Sequence, residues 1–268
     1  MKYTNTYTVR TIEMDPEYRI KPYHLCSYAQ DTVASWLADM NYASYDLQKQ
    51  NQSWILTGMY SSFTLDRPKW RTNLNVSIWA RKIRGIQYFI DFEISGLQNE
   101  GFYNSNFQRG TSVEDKPSPT PKVFARGTSS WSIIDEESRR PVRRPDIAEH
   151  LTEVNESACP DVQLRKITAF EGPATTFSQR VHNYDIDFNG HLNSVRYMGG
   201  ALEAIPLEFR NTHGITSLHI KYNKEAVTGD QLTCSCYPNE EHNAFYHHLY
   251  NQRAEDAAFM NTTWEKKS

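Results

Sequence analysis

The sequence predicts an α+β protein made of two copies of one unit, each an antiparallel β-sheet with a long helix on one face. Three observations carry this. First, a strand-like stretch, a polar irregular stretch, a His-Leu pair and a helix-like stretch follow one another twice, with the pairs at His24-Leu25 and His191-Leu192. Second, a series of strand-like segments follows each helix, and one helix followed by consecutive strands makes an antiparallel sheet with the helix on one face. Third, each copy closes alike, on ARGTSSW ending at Trp131 and on AFMNTTW ending at Trp264, with Ala125 and Ala258 at matching places.

The first unit opens with a strand over Tyr7–Ile12. Its helix shows apolar or small residues at Leu25, Tyr28, Ala29, Val33, Trp36, Leu37 and Met40, close to the i, i+3, i+4 spacing of an amphipathic face. Strand-like segments follow at Ser61–Leu65, Leu74–Arg81 and Gln87–Ile94. Residues 98–122 are rich in Asn, Gly, Ser and Pro and read as a long loop before the closing strand. The first unit therefore takes residues 1–134. Residues 135–172, with RRPVRR and a short polar helical stretch, read as a linker, and residues 173–268 form the second unit. That unit opens with a strand over Thr175–His182. A helix over 192–205 follows, carrying Leu192, Val195, Met198, Leu202 and Ile205 and ending at Pro206. Its strands are expected at Ser217–Tyr222, Gln231–Tyr237 and Ala244–Tyr250. The Gly199-Gly200 pair costs about 1 kcal/mol per glycine in helix propensity, and tight packing is the plain reason for it. Two units of this kind pair their sheets and so hide edges.

Composition sets limits. Aromatic residues are 13% of the 268, which disordered chains lack, and the formal net charge is −3. No global basic field exists, so nucleic-acid binding has no support. No run is long enough to cross a bilayer. The N-terminal residues MKYTNTYTVR have no apolar signal core and no transit-peptide character, so the cytoplasm is the expected compartment. Four cysteines stand at 26, 159, 234 and 236, and in that compartment they are reduced thiols. Cys234 and Cys236 share one face of a strand; C-x-C fits no common structural zinc site, and no metal or cofactor is expected.

The densest chemistry lies in DIDFNGHLNSVR, residues 185–196. Asp185, Asp187, Asn189 and Gly190 are spaced like the start of a calcium loop, but position 12, which needs a bidentate Glu, is Arg196. In an extended segment Asp187, Asn189 and His191 point the same way, just before a helix N-terminus whose unpaired N–H groups favour an oxyanion. An acid, an amide and an imidazole at such a place suit hydrolysis of an acyl group. The alternative is structural: Asn189 caps the helix and Asp187 adds charge favourable to the dipole. With the His-Leu pairs aligned, Ile20 and Pro22 stand where Asp187 and Asn189 do. Polar residues in one copy only favour chemistry there.

DIDFNGHLNSVRYMGGALE resembles the signature of acyl-acyl-carrier-protein thioesterases, close to D-L-D-x-N-x-H-V-N-N-x-x-Y-I-G-W-x-L-E. The similarity runs through nearly the whole chain in the family's order. It implies a tandem (double) hotdog fold and release of free fatty acid from acyl carrier protein, terminating fatty-acid synthesis. The lack of a plastid transit peptide looks like a bacterial member. Asp187, Asn189 and His191 carry over as catalytic residues. The family's later Glu falls on Glu225 in LHIKYNKEAVTGD, and the Cys that often follows it is Ala226 here. With no thiol at that place, this departure from the family's pattern favours attack by water, with Asp187 orienting the site or sharing the proton work and Asn189 holding the thioester carbonyl or the water. Glu225 is then the general base, relayed through His191, and the helix N-terminus the oxyanion site. Pro68 is read as the first copy's counterpart of Glu225.

The implied partners are acyl carrier protein and a fatty acyl thioester, with no nucleic acid and no membrane. Oligomeric state is not legible, and a homodimer stays open. Because the carrier is acidic, a basic docking patch is expected. Arg139, Arg140, Arg143 and Arg144 in the linker and Lys221 and Lys224 beside the site are the candidates, with Arg67, Lys69 and Arg71 a further cluster. The acyl tail needs apolar walls, for which the first copy offers Tyr28, Trp36, Trp54 and Met59. Two other readings use the same residues, an acyl-CoA thioesterase and a non-catalytic acyl- or calcium-binding protein. A hotdog hydratase would yield no free thiol. No G-x-S-x-G occurs, which argues against a serine hydrolase.

Overall fold

The computed structural model describes residues 1–97 and 121–267. The first half runs β1 (Tyr3–Thr8), α1 (Pro22–Asp39), a short α2 (Ser44–Gln48), β2 (Gln52–Phe63), β3 (Asn73–Arg84), β4 (Gln87–Gly96) and β5 (Lys122–Asp135). A connecting segment holds β6 (Pro141–Val142) and α3 (Pro145–His150). The second half runs β7 (Thr175–Arg180), α4 (Ser194–Glu203), α5 (Leu207–Thr212), β8 (His213–Tyr222), β9 (Gln231–Pro238), β10 (Ala244–Asn251) and β11 (Asp256–Lys266). The loop expected at 98–122 lies outside the described residues except for its last two, where Lys122 already begins β5.

All strand pairings are antiparallel, and the strands join one sheet in the order β1-β3-β4-β5-β2-β8-β11-β10-β9-β7, with β6 beside β5. Read from its two ends, this order is the same path walked twice: opening strand, third, fourth, fifth and second strand of each half. The closing strands match to the side chain. Trp131 Nε1 donates to Ser129 Oγ at 2.9 Å, and Trp264 Nε1 donates to Thr262 Oγ1 at the same distance. β2 and β8 meet at the centre through Gly58–Ser62 and Lys221–Ser217, so the two sheets are continuous. This mostly antiparallel sheet with few helices is a hotdog-like α+β fold.

α1 forms because Pro22 at its first turn presets the helical φ and Leu25, Ala29, Val33 and Leu37 bury one stripe. It ends where Asn41 takes a left-handed φ of 61°. α4 is capped by Asn193, whose Oδ1 accepts the Val195 N–H at 3.0 Å, and it buries Tyr197, Met198, Ala201 and Leu202. The two helices touch: Ser194 Oγ, at the start of α4, donates to Gln30 Oε1 on α1 at 2.5 Å.

Several expected boundaries are corrected. The opening strands are Tyr3–Thr8 and Thr175–Arg180, and Ile12 lies in a 3-10 turn, Thr11–Glu13. The second helix begins at Ser194 rather than Leu192, because Leu192 is held in a β-bridge to Ile186. Cys234 and Cys236 are buried on β9, as the alternation implied; burial pushes both thiols up, Cys236 to about 12.

Candidate active site

Two loops build the site. One joins β7 to α4 and carries Asp187, Asn189 and His191; the other joins β8 to β9 and carries Glu225. The first is not the extended segment that the alternation suggested. Ile186 and Leu192 bridge, the Asp187 N–H donates to the His191 carbonyl at 2.8 Å, and the Gly190 N–H donates to the Asp187 carbonyl at 3.0 Å. The Asp187 carboxylate closes this turn from inside, accepting the Asn189 and His191 N–H groups at 2.9 and 3.4 Å. Gly190 has φ +80°, which is why a glycine suits this place. Burial raises the Asp187 carboxyl above its ordinary range, and the two N–H groups pull it the other way.

The loops are tied together. The Leu192 N–H donates to the Ala226 carbonyl at 2.8 Å. Tyr197 on α4 grips the second loop on both sides of Glu225: its hydroxyl accepts the Ala226 N–H at 2.8 Å and reaches the Lys224 carbonyl at 3.4 Å. His191 Nε2 then lies 3.3 Å from Glu225 Oε2. Asn189 Oδ1 is buried and has no hydrogen-bond partner. An unpaired buried acceptor is costly unless something fills it. The Glu225 side chain is 37% exposed, so this carboxylate is open to solvent rather than sealed in the core. Arg196 and Asp185, positions 12 and 1 of the apparent calcium loop, face each other, with Nε 3.4 Å from Oδ1.

The first half repeats this construction with other residues. Met14 and Ile20 bridge, the Asp15 N–H donates to the Arg19 carbonyl at 2.8 Å, and Asp15 Oδ1 accepts the Glu17 and Arg19 N–H groups at 2.9 and 3.0 Å. The Ile20 N–H donates to the Pro68 carbonyl at 2.8 Å, as Leu192 does to Ala226. The alignment on the His-Leu pairs is therefore corrected. Asp15, Glu17 and Arg19 stand where Asp187, Asn189 and His191 do, and Arg67, not Pro68, stands where Glu225 does. Arg67 donates to the Ile20 carbonyl at 2.8 Å and to Asp15 Oδ2 at 2.6 Å. Leu25 replaces Tyr197. An Asp in both turns is a demand of the turn; the His–Glu pair and its tyrosine clamp belong to the second half alone.

Of the basic candidates, Arg139 points at the site: its guanidinium bonds Glu225 and, at 2.9 Å, Glu136. Lys224 pairs with Glu255. Arg144 is held by Asp146 at 2.7 Å and by Gln52 at 2.7 Å. Arg140 and Arg143 are exposed and Lys221 is half-buried on β8. In the first-copy cluster, Arg67 is committed to Asp15. The apolar candidates sit in packed surroundings. Tyr28 stacks on Tyr7 at 4.5 Å and bonds Glu13, and Trp36 lies against Tyr3. Trp54 donates to the Tyr42 carbonyl at 2.8 Å, and Met59 is buried opposite Ile220 at the central seam. Sequence reasoning missed Tyr197 and the contact of Arg139 with Glu225. Tyr197 was within reach, since it lies inside the quoted signature; a contact across 86 residues of chain leaves no local signal.

Residues 172–266 match the profile of the acyl-ACP thioesterase C-terminal domain. An oleoyl-acyl carrier protein thioesterase of Arabidopsis thaliana is 28% identical over 189 residues, 57% of this chain and 51% of the relative. An acyl-[acyl-carrier-protein] hydrolase of Cuphea viscosissima is 24% identical over 82% of this chain and 50% of its own length. The chain thus spans about half the length of the curated relatives it matches. Among solved structures, an acyl-ACP thioesterase from Bacteroides thetaiotaomicron superposes with a TM-score of 0.79, at 19% identity, over 98% of both chains. The 12:0-ACP thioesterase of Umbellularia californica gives 0.79 at 15% identity, over 99% of this chain and 98% of that one. Over residues 172–266 in profile, and over most of its length in sequence and fold, this chain is similar to acyl-ACP thioesterases.

Proposed function

We propose that this chain hydrolyses the thioester of acyl-acyl carrier protein, releasing free fatty acid and the carrier's thiol, and so terminates fatty-acid synthesis in the cytoplasm. The observation that carries this is the His191–Glu225 pair, 3.3 Å apart and assembled from two loops in the second half only. A water would lose its proton to Glu225 as its oxygen attacks the thioester carbonyl carbon. Asn189 Oδ1, the unpaired buried acceptor, would hold that water by its other proton. The oxyanion would form at the start of α4, on the positive end of its dipole. When the intermediate collapses, the C–S bond breaks and His191 passes the proton from Glu225 to the departing sulfur. No thiol takes part, because Ala226 occupies the place of the family's cysteine.

The repeated strand order supports a tandem hotdog, with residues 1–134 and 173–268 as the units and 135–172 as their connection. In this reading the first unit holds the acyl tail against Tyr28, Trp36, Trp54 and Met59. Arg140, Arg143 and Lys221 are the basic residues left for the acidic carrier.

The test is free-thiol release from acyl-carrier-protein thioesters of several chain lengths and from the matching acyl-CoAs. Release from the carrier thioesters, lost by a factor of roughly 100 to 10,000 in both Glu225→Ala and His191→Ala, is expected for a base and its relay. Full activity in Glu225→Ala would remove Glu225 as the general base. Preference for the CoA thioesters would move the substrate to acyl-CoA.

A further inference from the structure

Arg139 is an unusual neighbour for the proposed base. It belongs to neither loop of the site but to the turn that leaves β5 and enters the segment between the halves. That turn is built stiffly. Asp135 Oδ1 accepts both the N–H and the hydroxyl of Ser138, at 2.8 and 2.7 Å. The Arg139 N–H donates to the Asp135 carbonyl at 2.9 Å, the Asp135 N–H to the Arg140 carbonyl at 3.0 Å, and Arg139 itself has φ 55°. Its guanidinium is held on the far side by Glu136. One nitrogen is thereby fixed, and the other is delivered to Glu225 Oε2, the same oxygen that His191 approaches.

We infer that Arg139 is a positioning residue for hydrolysis: it clamps Glu225 by Oε2 against His191 and so presents Oε1 to the attacking water. The reasoning is geometric. A Glu side chain on an open loop samples several rotamers, and 37% of this one faces solvent. A guanidinium and an imidazole meeting at one oxygen pin Oε2 and restrict the rotamers open to the carboxylate. The first half shows the same need met another way. There Arg67, at the place of Glu225, brings its own guanidinium and locks onto Asp15 within the copy. When that position carries a carboxylate, Asp187 cannot lock it, because the charges are alike. The cation then has to come from outside the copy, and the turn after β5 supplies it. This assignment replaces docking as the role of Arg139, and it rests on the hydrolase reading above.

The experiment separates the two roles and both failures. Arg139→Ala, Arg139→Lys and wild type are assayed for thiol release on an acyl-carrier-protein thioester and on a small acyl-pantetheine thioester, which has no protein surface to dock. Loss of positioning is expected to lower kcat by roughly 100-fold on both substrates with KM little changed, as for a misplaced catalytic group. Arg139→Lys should recover part of kcat. Should Arg139→Ala not fold, Arg139→Lys and Glu136→Gln, which frees the guanidinium, carry the same comparison of kcat and KM. A raised KM for the carrier substrate alone, with kcat kept, would overturn positioning and return Arg139 to the docking surface. Unchanged kinetics on both substrates would overturn it as well. Wild type that releases no thiol from either substrate would instead refute the hydrolase reading, and the inference would fall with it.

Discussion

Asp187 shows how a residue's role is decided by its counterpart. It lies in the site, its carboxyl is raised by burial, and its spacing from His191 suggests acid–base chemistry. Yet Asp15 closes the same turn with the same two hydrogen bonds where Glu17, Arg19 and Arg67 leave no His–Glu pair. In both turns the Asp oxygen serves as an acceptor for two backbone N–H groups. Asn offers the same acceptor. Asp187→Asn should keep stability within about 0.5 kcal/mol and thiol release within about tenfold of wild type. Asp187→Ala orphans both N–H groups and should cost roughly 2 kcal/mol, with a far larger loss of activity. Chemical unfolding and thiol release on the two variants decide it; an Asn variant as inactive as the Ala variant would make Asp187 a proton carrier. The sequence offered the right residues here but the wrong pairing. The two turns share only the Asp among their chemically distinctive side chains, while their backbone hydrogen bonds, which define the equivalence, are written by no residue type. The nearby His24-Leu25 offered a false match inside α1.

The helices repeat the lesson one level up. Helix character was legible from periodicity, because the buried stripe of α1 is an inventory of apolar residues at the right spacing. The start of α4 was not, since Leu192 has the right hydropathy for a helix but is taken by the bridge to Ile186. The glycine pair of α4 was read as tight packing, and its two members differ. A Cβ on Gly199 would find its nearest atoms, in the Tyr23 ring, at 3.7 Å, an ordinary contact. A Cβ on Gly200 would meet the Gln179 amide at 2.5 Å. In the first half Tyr28 and Tyr7 stand at the places of Gly200 and Gln179 and stack there, so α4 is the slimmer helix. Gly199→Ala should therefore stabilise the protein by about 1 kcal/mol, the helix propensity of alanine over glycine. Gly200→Ala should gain less, because Gln179 must first swing aside. Denaturant midpoints measure both, and a destabilised Gly199→Ala would show that close packing, not tolerance, put glycine there.

At the scale of the molecule, the sequence made duplication visible through the closing tryptophans but could not say how firmly the halves are joined. Strand register between distant segments has no local signature. The contacts that join them run the length of the seam. β2 and β8 pair over five positions, with Met59, Ser61, Leu218 and Ile220 buried there. Ser194 bonds Gln30 between the helices, Asn261 on β11 bonds the connecting segment at Thr168, and Lys267 pairs with Glu17. Neither half keeps a closed sheet edge or a covered helix face without the other, because removing one exposes the β2 or β8 ladder and the facing side of α1 or α4. The halves should consequently unfold together, although each has the strand count of an independent domain. Calorimetry should show one transition whose van't Hoff and calorimetric enthalpies agree. Two separable transitions would mean that the seam is a docking surface between independent units. In that case the Arg139–Glu225 contact, which crosses the same boundary, could open without unfolding either half.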